Sequence, residues 1–148
     1  MKIQEAENQI VTHYEVFEEK PADTALLADA VSKHEEILGR TPELVATDAG
    51  FYTQAGEKNL EEKGVPRISI PNRKTQSETR RKHEKQRWFK NGQRWRTGCE
   101  GRISVLKRRH GLNRCLYPGQ PGMKRWVGWG VIADNLIHIG GWIAANAS

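Results

Sequence analysis

Residues 3–7 and 10–18 alternate between apolar and polar positions, with Ile10, Thr12, Tyr14 and Val16 on one face and Asn8-Gln9 between the runs, which predicts an opening β-hairpin. Beyond Pro21-Ala22 the period changes. Leu26, Leu27, Ala30, Val31, His34, Ile37 and Leu38 fall on one face of a helix, with Asp23 as its N-cap and Gly39 as its stop. Residues 43–47 read as a short buried strand ending at Asp48-Ala49-Gly50. A polar helix over 54–63, closed by Gly64, leads to a strand over 65–70 that Pro71 stops and that belongs at a sheet edge.

From about 71 to 94 no apolar period is sustained, so this segment reads as a basic insertion, mostly loop with short helical pieces. Trp95, Cys99, Ile103, Leu106 and His110 then step by four, four, three and four, a core-facing stripe ended by Gly111. A turn-rich connection over 113–122 precedes a last helix over 123–145. Its apolar content is densest at Trp126, Val127, Ile132, Ala133, Leu136, Ile137 and Ile143, which predicts a buried helix. The order ββ–α–β–α–β–(insertion)–α–α describes an α/β protein without internal repeats.

The length of 148 residues fits one domain. A mean hydropathy of −0.75 excludes an integral membrane protein. The longest apolar stretch, 126–143, is interrupted by Asp134, Asn135, His138 and four glycines, which hydrocarbon does not accept on an isolated helix. The first residues lack the apolar run of a signal peptide, and Cys99 and Cys115 suggest neither a disulfide framework nor a metal cluster. A cytoplasmic protein is expected.

Charge divides the chain. Residues 1–70 carry 7 Lys/Arg and 14 Asp/Glu, whereas 71–148 carry 17 and 4. Between Arg73 and Arg114 there are 15 basic and 3 acidic residues, interleaved with Trp88, Phe89 and Trp95. Such a block points to a polyanion, with Arg73, Lys74, Arg94, Trp95, Arg102, Arg108 and Arg109 among its candidate contacts. A solvated, disordered basic loop is the competing reading of 73–90.

Two acids stand where catalytic carboxylates are commonly found. Asp48 ends an apolar strand, where ligands collect at the carboxyl edge of a sheet; it also suits a plain turn ahead of glycine. Glu100 is the only acid between Glu84 and Asp134, and Arg96, Glu100, Ser104 and Lys107 share one helical face. An i−4 ion pair with Arg96 accounts for Glu100 as surface chemistry. A carboxylate flanked by cations also suits a divalent ion bound beside phosphate oxygens.

With these residues in view, the chain resembles the C-terminal part of a DDE transposase of the IS4/IS5-like bacterial insertion-sequence group. Thr47-Asp48-Ala49-Gly50-Phe51-Tyr52, followed by Asn59-Leu60 and Gly64, is similar to the segment bearing the family's second catalytic aspartate. Arg96-x3-Glu100-x6-Lys107 matches three positions of the Tyr-Arg-Glu-Lys signature, Gln93 standing in place of Tyr. Ala133-Asp134-Asn135-Leu136 resembles part of the last helix.

The resemblance implies a ribonuclease H-like mixed sheet with flanking helices, Asp48 and Glu100 as catalytic metal ligands for Mg²⁺ or Mn²⁺, and Arg96 and Lys107 on DNA phosphates. It implies insertion-sequence ends and target DNA as partners, with a second copy or a full-length transposase as a further one. It also implies that the first, central strand and its aspartate lie upstream of the hairpin, so that this chain is a truncated enzyme unable to cleave alone. If a third carboxylate comes from within, Asp23 and Asp134 are the candidates. A nucleic-acid-binding fragment without catalysis, or an inhibitor of a full-length relative, is the alternative expectation.

Overall fold

The computed structural model describes residues 2–19 and 23–147, with Asp23, Thr24, Ala25 and Glu100 described by their backbone alone. The N-cap predicted for Asp23 therefore lies outside the described side chains. The chain forms two compact units, one of Met1–Lys20 with Cys99–Ser148 and one of Pro21–Gly98.

In the first unit, strands β1 (Lys2–Glu5) and β2 (Val11–Glu15) pair antiparallel with a register shift between Gln4 and Glu5. Their link is a 3-10 turn, Glu7–Gln9, in which Asn8 and Gln9 take positive φ angles of 59° and 63°. The unit is completed by the end of helix α4 (Arg87–Arg109) and by helix α5 (Gly119–Asn146). Val11, Leu106, Leu112, Val127 and Val131 form its core, with Ile3, Tyr14, Val16, Met123 and Trp126 packed around them.

Helix α5 begins earlier than its apolar pattern indicates. Pro121 falls in the first turn, where a missing N–H costs nothing, and Gly122 is pressed against Tyr117. The expectation of a buried last helix is corrected. Its inner face is Val127, Gly128, Gly130, Val131 and Asp134, whereas Ile132, Leu136, Ile137 and Ile143 are exposed. Glycine decides this choice: a Cβ on Gly128 would stand 2.4 Å from the Tyr14 hydroxyl, and one on Gly130 would stand 2.9 Å from Leu112. Close approach selects the glycine face over the one richest in Ile and Leu.

The second unit holds α1 (Asp23–Leu38), β3 (Val45–Ala46), α2 (Gln54–Glu62), β4 (Ile68–Ser69), α3 (Glu78–Glu84) and the start of α4. Strands β3 and β4 are parallel, Val45 opposite Ile68 and Ala46 opposite Ser69. Leu27, Val31, Leu60, Val65, Ile68 and Ile70 make the core. Among the described residues the strands form these two two-stranded sheets, and the architecture is mixed α/β.

Where the sequence predicts a basic loop, α3 and the first turns of α4 stand instead. Ser77 caps α3 by accepting from the Arg80 N–H. Arg80 then ties that short helix to the unit, donating to both Glu57 carboxylate oxygens (2.6 and 2.8 Å), to Glu84 (2.8 Å) and to the Ile70 carbonyl (2.7 Å). These ion pairs lift the Arg80 pKa above its ordinary value against the opposing pull of desolvation. One apolar anchor, the buried Phe89, holds the start of α4. With α3 held by one guanidinium and the start of α4 by one Phe, neither leaves an apolar period to read.

Candidate nucleic-acid and metal site

Asp48 follows the short strand β3 and begins a 3-10 turn, Ala49–Phe51. Its Oδ1 accepts the Gly50 N–H at 2.7 Å, so one oxygen of this half-buried carboxylate organises the turn. The backbone beneath is set by the strand pair: the Thr47 N–H donates to the Ser69 carbonyl at 3.3 Å.

The first half of α4 lies over the same strand ends. Gln93 Nε2 donates to the Thr47 carbonyl (3.2 Å), the Ser69 carbonyl (2.5 Å) and the Ser69 hydroxyl oxygen (3.0 Å). Ser69 is fully buried and passes its own hydroxyl proton to the Phe89 carbonyl at 2.9 Å. Gly92 permits this approach, since a Cβ there would come within 3.0 Å of Ser69 and 3.4 Å of Leu44. Gln93 thus ties α4 to Thr47, the residue preceding Asp48.

Gln93, Arg96, Glu100 and Lys107 all fall on α4, with Asp48 and Gln93 in the Pro21–Gly98 unit and Glu100 and Lys107 in the other. The Glu100 side chain lies outside the described residues. Arg73, Lys74 and Arg94 are exposed, Trp95 and Arg96 half-buried. Lys107, Arg108 and Arg109 are exposed in the last turn of α4, where cations also complement the helix dipole. Arg81 and Lys82 of α3, Lys85 at its C-cap, and Arg87 and Lys90 of α4 are also exposed.

Arg102 departs from the expectation of a DNA contact. It is 9% exposed, and its guanidinium donates to Glu5 (3.3 Å), Gln9, Asp134 (3.4 Å) and His138 Nε2 (2.6 Å). The predicted stripe is rotated, with Arg102 and Leu106 rather than Ile103 buried in the second half of α4. Asp134 is fully buried and also meets His110 at 3.2 Å and His138 at 3.6 Å, so its carboxylate is neutralised inside the first unit. Beside it, Cys99 donates to Glu5 at 3.4 Å. Burial, with the Glu5 charge and this hydrogen bond, pushes the thiol up to about 12. Sequence reading does not assemble this network; its one signal is that charged and polar residues occur at core-facing positions.

Residues 57–139 match the family model of the transposase DDE domain, more than half of the chain. The chain belongs to that family. The matched stretch contains Gln93, Arg96, Glu100, Lys107 and Asp134 and begins beyond Asp48. No curated protein and no solved structure gives a significant match. No helix among the described residues is long and apolar enough to cross a membrane.

Proposed function

We propose that this chain acts in DNA transposition, as a cytoplasmic DNA-binding part of an IS4/IS5-like transposase with a ribonuclease H-like active site. The observation that carries the reading is a DDE-domain match that spans the Arg96-x3-Glu100-x6-Lys107 spacing on a single helix. Exposed cations along α3 and α4 suit phosphate contacts, with Arg73, Lys74, Arg94, Arg96, Lys107, Arg108 and Arg109 as the residues to grip insertion-sequence ends or target DNA and Trp95 beside them. Arg102 is left out of this surface.

Asp48 and Glu100 are the residues to hold a divalent ion, Mg²⁺ or Mn²⁺. The donor set suits it: carboxylate oxygens are the hard ligands these ions take, and Asp48 retains an oxygen beyond its turn. Held by Asp48 and Glu100, such an ion would supply the Lewis acidity that phosphodiester cleavage and strand transfer call on. Gln93 holds the backbone before Asp48, and the α4 cations place the phosphate. Two carboxylates under-coordinate a two-metal centre, so cleavage by this chain alone is not expected.

Titrating a labelled DNA duplex against salt tests the binding. With five or six phosphate contacts the slope of log K against log[salt] is on the order of −5. Binding that ignores salt overturns it. Mn²⁺ relaxation on wild type, Asp48→Asn and Glu100→Gln tests the metal, and equal binding in all three assigns the acids to structure. The Asp48 bond to Gly50 favours a second reading, a non-catalytic DNA-binding fragment or inhibitor of a full-length relative, in which Asp48 serves only its turn.

A further inference from the structure

On α5, Trp129, Ile132, Leu136, Ile139 and Ile143 recur at three, four, three and four residues, and each is between 44% and 63% exposed. They lie opposite the face that Val127, Val131 and Asp134 give to the core. A contiguous exposed apolar stripe of this kind marks a binding surface. This one has a cationic head. Arg125 stands four residues before Trp129 on the same face, with Lys124 beside it, and both are exposed. Nothing on the helix opposes these charges, because between residues 101 and 147 the one acidic side chain is Asp134, which is fully buried. Trp129 opens the stripe, and Trp142, 55% exposed, stands near its end.

An apolar stripe headed by cations, bordered by indoles and free of exposed acids is the complement of an anionic bilayer surface. Acyl chains take up the Ile and Leu side chains, indoles settle at headgroup depth, and Lys124 and Arg125 meet lipid phosphates. DNA would answer the two cations alone and leave the stripe in water. We propose that α5 binds the surface of an anionic lipid bilayer, lying in its plane with this outer face down. Trp129 to Ile143 runs about 21 Å along the helix axis, and its inner face stays on the protein core. The helix therefore lies on the bilayer and does not span it. Its last turns gain most. From Ile139 to Asn146 every residue is exposed, and an added Cβ at Gly140 or Gly141 would meet no atom within 4 Å. Two adjacent glycines and no packed face hold a helix end poorly in water, and burial of Ile139, Trp142 and Ile143 at the lipid boundary supplies the lacking contact. The surface uses none of the α3 or α4 cations and stands independently of the DNA reading.

Flotation of the full chain with lipid vesicles, in low salt and without DNA, tests it. The wild type is expected to float with vesicles of phosphatidylglycerol and phosphatidylcholine in equal parts, with a blue shift of its tryptophan emission. It should bind vesicles of phosphatidylcholine alone about tenfold more weakly. Leu136→Gln with Ile139→Gln is expected to abolish both flotation and blue shift. Lys124→Gln with Arg125→Gln should weaken binding to the anionic vesicles about tenfold. Ile37→Gln, an exposed position on α1, is expected to change neither readout. The stripe positions are exposed in the single chain, so the glutamine variants keep the wild-type far-ultraviolet dichroism. A wild type that stays in the buffer overturns the proposal, as does one that floats equally with the neutral vesicles. Flotation that survives Leu136→Gln with Ile139→Gln overturns it too, since charge alone would then explain it. A chain that ignores vesicles and sediments at twice its 16.9 kDa mass has the stripe covered by a second copy, which also overturns it.

Discussion

Asn135 makes a two-way bond with the backbone of Val11. Its Nδ2 donates to the Val11 carbonyl at 2.9 Å and its Oδ1 accepts the Val11 N–H at 2.8 Å, so one side chain of α5 serves the start of β2 as a neighbouring strand would. Val11 is buried, and its main chain has no route to water once that amide is gone. Asn135→Ala is expected to cost about 2–6 kcal/mol, since a buried unpaired polar group costs about 1–3 kcal/mol and two are created. Asn135→Asp keeps the acceptor for the Val11 N–H but sets a carboxylate oxygen against the Val11 carbonyl, so it should cost at least as much. Urea unfolding of the three proteins checks the order.

The Arg102 network sets one buried, internally paired cation apart from the exposed ones. Arg102→Met leaves Glu5 and Asp134 buried without their cation and is expected to cost about 3–5 kcal/mol. Lys107→Ala, Arg108→Ala and Arg109→Ala together should leave the urea midpoint nearly unchanged while weakening DNA binding and flattening its salt slope by about 0.9 for each phosphate no longer neutralised. A stable Arg102→Met protein with weakened DNA binding would reverse the assignment.

Cys99 gives the protein a pH signature. Its folded pKa is raised, from 9.0 to about 12, so the native state holds the thiol proton after the unfolded chain has lost it. The stability this contributes is complete below pH 9 and is lost as pH rises through the interval to about 12. Cys99→Ala should flatten the alkaline fall in the unfolding midpoint. Mass-resolved alkylation near pH 8 should modify Cys99 far more slowly than an unfolded cysteine, because the rise from 9.0 to about 12 reduces the thiolate about 1,000-fold.

At the strand ends beside Asp48, Gln93→Leu removes the donor shared by Thr47 and Ser69 and is expected to cost about 1–2 kcal/mol. Gln93→Glu should be worse, since it sets a carboxylate against two carbonyl oxygens. Amide exchange at Gly50, read by NMR, should quicken in both as the backbone carrying Asp48 loosens. Unchanged exchange would show that Gln93 is a surface contact and not a brace for Asp48.

Much was legible along the chain. Alternation placed the hairpin, helical spacing placed α1, a polar run closed by Gly64 placed α2, and the apolar runs around Val45 and Ile68 placed the strands β3 and β4. The spacing Arg96-x3-Glu100-x6-Lys107 located the family resemblance, because residues three, four and seven apart on a helix share a face whatever the fold around them. Periodicity could not decide which of two faces turns inward. Glycine settled that on α5, where Tyr14 and Leu112 need room that a Cβ would take. A buried ion network settled it on α4, where Arg102 is satisfied by Glu5, Gln9, Asp134 and His138 from distant parts of the chain. Nor could it see α3, whose anchors are Glu57, Glu84 and the Ile70 carbonyl rather than an apolar stripe. Local pattern records which residues avoid water. Close backbone approach and pairing between distant charges exist only once the chain has folded, and these decided which cations are buried and which face solvent.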